Sequence, residues 1–290
     1  MRSRILHCDV DVAGLAIHVV QAGESRSPHA VMLVHGWPES WKAFEPMMQL
    51  VDDGLNIVAI DLPGVGESRS PAASSTKRAL AQIVLNLIGR LGLRDVTLVG
   101  HDIGGMIVYA CLHATPKSIA RAVIMNVAVP GVEPWSEVRR NPFIWHFGFH
   151  AVHDLPETLV TGNERAYFDY FFDAIAASPE AIGAQARDAH AAAYSRYDAL
   201  KTGFDWYRAF ADDERDNQSV RGREIATPVL YLRGDKEPGG MLEAYVDGLR
   251  ASGLQDVKGQ QIRDSGHFAP EEQPAQVLAA IETFIRESVR

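Results

Sequence analysis

The 290-residue chain is poor in several things that would each have pointed to a class of protein. Two cysteines, Cys8 and Cys111, are too few for a disulfide framework, and buried thiols in a reducing compartment are the expectation. No apolar stretch approaches the length of a membrane span. The start, Met1-Arg2-Ser3-Arg4-Ile5-Leu6-His7-Cys8-Asp9, meets an acidic residue before a signal-peptide core could form, so a cytoplasmic protein with no membrane partner is expected. The formal charge is -9 and no long basic run occurs, which argues against nucleic acid as a partner. No phosphate loop or dinucleotide fingerprint follows the first strand, so no organic cofactor is expected. Repeats and low-complexity tracts are also lacking, and a 47% hydrophobic, 22% charged composition argues against disorder.

What is present is an alternation of strand and helix patterns. "RILHCDVDVAGLAIHVVQAG" predicts a hairpin turning at Ala13-Gly14. "AVMLVHG", "LNIVAID", "DVTLVG" and "IARAVIMNVAV" are apolar runs of the kind buried on both faces of a sheet. Between them "SWKAFEPMMQLVDDG", "STKRALAQIVLNLIGRLG" and "IGGMIVYACLHATP" have helical patterns, the last ending before Pro116. From about Pro130 to about Gly222 aromatics become denser and no convincing strand appears. Alternation resumes at "TPVLYLRG", followed by helix-like "MLEAYVDGLRASG", strand-like "QDVKGQQIRDSGH" and a closing helix "EEQPAQVLAAIETFIRES". The expectation is an α/β fold with a mostly parallel sheet flanked by helices. Residues 1–131 and 223–290 form its two parts, and 132–222 form an inserted helical cap.

One residue is missing from a place built for it. Gly100-His101-Asp102-Ile103-Gly104 has the G-x-S-x-G spacing of a nucleophile elbow, in the strand-turn-helix context an elbow needs, but aspartate stands where serine should. Three further loops follow predicted strands, where open α/β sheets build their sites. They are "VHGWPESW", the loop holding Asp235, and the loop holding His267. The order nucleophile, acid, histidine fits Asp102, Asp235 and His267. Glu237, Asp61 and Asn126 compete with Asp235 for the acid role, Asp61 being better placed to anchor the Pro/Gly turn of "DLPGVGES".

"HGWPESW", "DLPGVGES", "GHDIGG" and "DSGHFAPEEQP" together resemble the α/β-hydrolase superfamily and, within it, the epoxide hydrolases. The resemblance implies an aspartate nucleophile, a histidine oriented by an acid, and a helical lid whose acid opens the ring. In "GFDWYRAF", Tyr207 matches the ring-opening tyrosine, and "WHFGFHAVHDLPETLVTGNERAYFDYFF" offers His146 as its partner. That His/Tyr pair resembles the Cif-type enzymes, which however place a glutamate where this chain has Asn126, so the acid reverts to Asp235.

The chemistry suits a carboxylate. An aspartate with an ordinary pKa of about 4 is already nucleophilic at neutral pH, but only modestly, so it needs a strained or good leaving group. It would attack an sp3 carbon of an epoxide to give an alkyl ester, with Tyr207 and His146 meeting the alkoxide. His267, held by Asp235, would then activate water, and the N–H groups of Trp37 and Ile103 would receive the oxyanion. Trp145, Phe147, Trp206 and Phe268 suggest an apolar substrate pocket. The expected partners are thus a small apolar epoxide and water. Oligomeric state is not legible, and a homodimer stays open.

Two rival readings and one small signal complete the survey. A haloalkane or haloacid dehalogenase uses the same aspartyl ester, but Ile103 stands where an indole would hold halide, and Ile103 and Met106 stand where arginines would grip a haloacid. A non-catalytic receptor on a hydrolase scaffold is a different class of answer, opposed by competent residues at every catalytic position. His146, His150 and His153 have spacings that could put two imidazoles on one helix face, but lack the glutamate of an H-E-x-x-H pattern, so no metal is expected.

Overall fold

An eight-stranded sheet in the order β1-β2-β4-β3-β5-β6-β7-β8 organises the computed structural model, which describes residues 5–24, 27–51, 54–114 and 116–288. The beginning of the chain and Asp52-Asp53 therefore lie outside the described residues. The hairpin of β1 (Leu6–Val12) and β2 (Leu15–Gly23) turns through Ala13 and Gly14, at φ 54° and 85°, as a two-residue turn between right-twisted strands requires. β3 (Ala30–Val34) follows. The predicted helix after it is mostly absent: a 3-10 turn at Trp41–Phe44 leads into the single turn of α1 (Glu45–Met48). Pro46 has no N–H to continue a helix begun at Trp41, so the run restarts and stops at Gln49.

Then come β4 (Asn56–Ile60), α2 (Lys77–Arg90), β5 (Val96–His101), α3 (Ile103–Ala114) and β6 (Arg121–Met125). Between β6 and β7 every regular described element is helical: α4 (Trp135–Arg140), α5 (Trp145–Ala151), α6 (Leu155–Val160), α7 (Glu164–Ile175), α8 (Ala184–Ala193), α9 (Tyr197–Arg208) and α10 (Phe210–Ser219). β7 (Val229–Gly234), α11 (Leu242–Ser252) and β8 (Val257–Ile262) return to the sheet. The closing helix is split into α12 (Ala269–Glu272) and α13 (Pro274–Ser288) by the proline that opens the second piece.

Pairing from β4 through β3, β5, β6, β7 and β8 is parallel, and β2 meets both its neighbours antiparallel. β3 shows why its sequence is unbroken Ala-Val-Met-Leu-Val. Met32 and Val34 enter the core on one side of the sheet, Val31 and Leu33 the core on the other, so no position can be polar. The loops at the carboxyl ends of β3, β5, β7 and β8 converge under the helices 135–219, and the site lies there. No helix among the described residues is long and apolar enough to cross a membrane.

Candidate active site

Asp102 occupies the turn between β5 and α3 with φ 50°. Asp and Asn tolerate this left-handed region better than most residues, and strain of this sort marks functional turns. The turn is possible because neighbouring backbones come very close. A Cβ on Gly104 would stand 2.0 Å from the Val34 carbonyl oxygen, and one on Gly36 would stand 2.3 Å from the Asp102 Cβ. These contacts press the "HGWPES" loop against the elbow. As a result the Trp37 N–H donates to Asp102 Oδ1 at 2.9 Å. Ile103 opens α3, so its N–H is one of the four that lack an intrahelical acceptor. The second oxygen, Oδ2, lies 3.7 Å from His267 Nε2.

His267 meets a carboxylate through its other nitrogen, and that carboxylate is Glu237, not Asp235. His267 Nδ1 is 2.8 Å from Glu237 Oε1. Asp235 is still engaged with β8, its N–H donating to Ile262 O at 2.9 Å, and its side chain only receives the Ser265 N–H at 3.4 Å and faces Lys236. The chain turns after it, with the Glu237 N–H donating back to Gly234 O, and this brings the second acid beneath the histidine. Glu237 Oε2 receives Arg233 Nη1 and Asn126 Nδ2, both at 2.9 Å. Burial favours the neutral acid, but the hydrogen bond from His267 and the Arg233 charge outweigh it and hold Glu237 below the usual carboxylate range. Asn126, a rival for the acid role in the sequence, is a donor to the acid.

A second layer fixes the histidine loop. The His267 carbonyl receives His101 Nε2 at 2.7 Å, and His101 Nδ1 meets the buried Glu39 at 2.7 Å. Burial opposes a charge on His101, yet the Glu39 carboxylate prevails and pushes its pKa up to about 9. The His267 N–H donates to Ile175 O at 2.9 Å. Glu272 gathers the N–H groups of Gly266, Phe268, Ala177 and Ser178 at 2.7–3.1 Å, tying this loop to the segment after α7. Neither His101 nor Glu39 was singled out from the sequence, although Glu39 sits within "HGWPES".

Above the aspartate lies a cavity of about 460 Å³ bordered by Asp102, His267, Tyr207 and His146. Met106, Trp135, Phe147, Phe210 and Phe268 make much of its wall apolar. Tyr207 is buried, and its hydroxyl has no hydrogen-bond partner among the described residues. Burial, and then the Asp102 charge, raise its pKa well above that of an ordinary phenol, so it keeps its proton. The His146 ring stacks on Trp37 at 6.2 Å and 10°, and lies 5.7 Å from the Tyr207 ring. Burial, assisted by the His267 charge, pulls His146 down to about 3, so the imidazole is neutral. Its Nδ1 is buried without a partner.

Two expected pocket residues lie elsewhere. Trp145 is 42% exposed, with its indole N–H donating to the Tyr170 hydroxyl at 3.2 Å. Trp206 is fully buried beside His35 and Tyr194, away from the cavity. Each precedes a residue that does face the cavity, and successive helical side chains point about 100° apart, so composition alone does not decide which of the two turns inward. Of the three spaced histidines, His150 meets the Tyr167 hydroxyl at 2.7 Å and His153 is exposed.

Comparison with known proteins came to the same architecture. Residues 29–274 match the family model described as the alpha/beta hydrolase fold. The chain is 25% identical to the soluble epoxide hydrolase of a Corynebacterium strain, over 96% of this chain and 96% of that protein. Among solved structures it superimposes on Cfl2 of Burkholderia cenocepacia with a TM-score of 0.88 and 31% identity, covering 97% of this chain and 96% of that one. The Cif epoxide hydrolase of Acinetobacter nosocomialis gives a TM-score of 0.84 at 26% identity, covering 97% and 88%.

Proposed function

The chain belongs to the α/β-hydrolase fold family, and from that premise we propose that it is an epoxide hydrolase working through an ester on Asp102. The observation that carries this reading is the asymmetry of the Asp102 carboxylate. Oδ1 is already held by the Trp37 N–H, while Oδ2 has no closer donor than the histidine among the described residues, and Asp102 borders the cavity. Oδ2 is therefore the attacking oxygen, and Oδ1 becomes the ester carbonyl.

In the first step Oδ2 bonds to a ring carbon, that carbon's bond to the epoxide oxygen breaks, and the oxygen takes a proton from Tyr207, with His146 beside it. In the second step His267 takes a proton from water as the water oxygen adds to the ester carbonyl. The charge arriving on Oδ1 meets the N–H groups of Trp37 and Ile103. Collapse breaks the acyl–oxygen bond, releases a diol carrying the original Oδ2, and leaves the water oxygen on Asp102; of the two protons of that water, one goes to the departing Oδ2 and the other, held by His267, restores Tyr207. Glu237 orients His267 throughout. The helices within 132–222 act as the cap, and their apolar wall suits a small apolar epoxide. Relatives named epoxide hydrolases support the same substrate class.

Against a dehalogenase, Ile103 stands where an indole would hold halide and Ile103 and Met106 stand where arginines would grip a haloacid. The test is a panel of terminal, internal and aryl epoxides with haloalkanes, scored for diol and for halide. One turnover in heavy-oxygen water with excess enzyme should give unlabelled diol and a labelled Asp102 peptide. Labelled diol in that first turnover would mean that Asp102 acts as a base. A ligand bound one-to-one and never converted would instead support a receptor.

A further inference from the structure

Lys77 is the first residue of α2, and its placement works against two preferences at once. A cation at a helix N-terminus opposes the helix dipole. The residue is also 2% exposed, where an ammonium is costly to desolvate. Its contacts suggest why it is there. Nζ lies 2.8 Å from Asp213 Oδ2, hydrogen-bonds the Trp206 carbonyl, and stands 4.6 Å from the centre of the Phe210 ring. The Lys77 N–H donates to Asp213 Oδ1 at 2.7 Å.

Those partners surround one corner of the cap. The Trp206 carbonyl is in the last turn of α9, where carbonyls lack intrahelical donors and a cation is welcome. Asp213 is in the first turn of α10, where an anion is welcome. Between them sits Tyr207. The carbonyl that Lys77 grips belongs to the peptide plane carrying the Tyr207 nitrogen, and the Phe210 ring it supports is 5.1 Å from the Tyr207 ring. Since no described residue holds the Tyr207 hydroxyl, its height above Asp102 is set by this backbone and packing.

We propose that Lys77 is a positioning residue for Tyr207, reaching from the sheet domain into the cap to fix the proton donor of ring opening. This rests on the epoxide-hydrolase reading above. The hydrolytic half of the site, His267 with Glu237, is supported by other contacts, so Lys77 should matter to one step only.

Acid-quenched single turnovers with excess enzyme separate the steps, by the mass of the Asp102 peptide adduct and by diol released. The variant is Lys77→Met combined with Asp213→Asn, so that neither buried charge is stranded. Adduct formation should slow by about tenfold to a hundredfold, the cost of a misplaced reacting group, while adduct decay is unchanged. In a Tyr207→Phe background the same pair should cost little more, because both changes act through one hydroxyl. Additive losses, or equal slowing of both steps, would overturn the proposal. If the double variant does not fold, Lys77→Arg keeps the charge opposite Asp213 and alters the reach to the Trp206 carbonyl. A smaller loss confined to adduct formation then supports the proposal, and a loss in both steps overturns it. A native protein that forms neither adduct nor diol from any epoxide would remove the functional reading and this one together. Native turnover through the adduct, with the double variant unimpaired, would remove Lys77 alone.

Discussion

The floor and the roof of the cavity are held by different forces. On the floor each reacting group is held by a directional bond: Trp37 on Asp102, Glu237 on His267, Arg233 and Asn126 on Glu237, His101 on the His267 carbonyl. In the roof, the Tyr207 hydroxyl and His146 Nδ1 have no hydrogen-bond partner among the described residues, and their rings are located by stacking and by the helices beneath them. In the proposed two-step reaction, one half of the site is thus locked by directional bonds. The other half presents unmatched donors, which are costly to bury until a developing alkoxide meets them.

The largest effect that would sharpen this contrast comes from the floor. His267→Gln should cut diol release by roughly 10⁴-fold or more, with the adduct accumulating on the Asp102 peptide, measurable by intact mass. Absence of an adduct would place both halves of the chemistry in one step. Next is Glu237→Gln, expected to slow adduct decay by about 10²- to 10⁴-fold, since the imidazolium loses its counter-charge. Asp235→Asn should leave both steps in place, and the reverse ranking would return the acid role to Asp235.

The roof follows. Tyr207→Phe should slow adduct formation by about 100- to 1000-fold without changing adduct decay. His146→Ala should fall in the same range, and full activity there would reduce the imidazole to packing against Trp37. Smaller still is Asn126→Ala, which removes one donor from Glu237 and should slow adduct decay by about tenfold.

The last expected effect concerns stability and leaves the rates aside. His101 has a pKa raised from 6.5 to about 9 by Glu39, so its contribution is complete below pH 6.5 and is lost as pH rises through about 9. Urea midpoints across that window should decline for the native chain and stay flatter for Glu39→Gln. A flat native profile would mean that the pair is not charged in this way.

Much of this was legible in the sequence because burial on both faces of a sheet leaves a strand no polar positions, as in Val31-Met32-Leu33. The elbow was legible because Gly104 and Asp102 must stand where they do for the backbones to pass. What was illegible is direction. Asp235 and Glu237 are two residues apart and chemically equivalent, and only the turn between them decides which one reaches His267. Trp145 and Trp206 have the right composition for a pocket, but each is one helical position off. The broken helix at Pro46 could have been foreseen from its missing N–H. The Lys77–Asp213 pair is separated by 136 residues, beyond any local pattern.

Glu272 has a bearing on traffic through the cavity. Its carboxylate collects two N–H groups from the histidine loop and two from the segment after α7, and the His267 N–H itself bonds to Ile175. Were the helices 135–219 to swing open as a door, that buried carboxylate would be stranded and the histidine pulled from its place. Substrates are therefore expected to slip past side chains at the rim, such as Phe143, which lines the cavity and is 87% exposed. Rotamer flips of that kind take picoseconds to nanoseconds, whereas hinge motions take microseconds to milliseconds. Admission is then expected to carry no delay from reassembling the site.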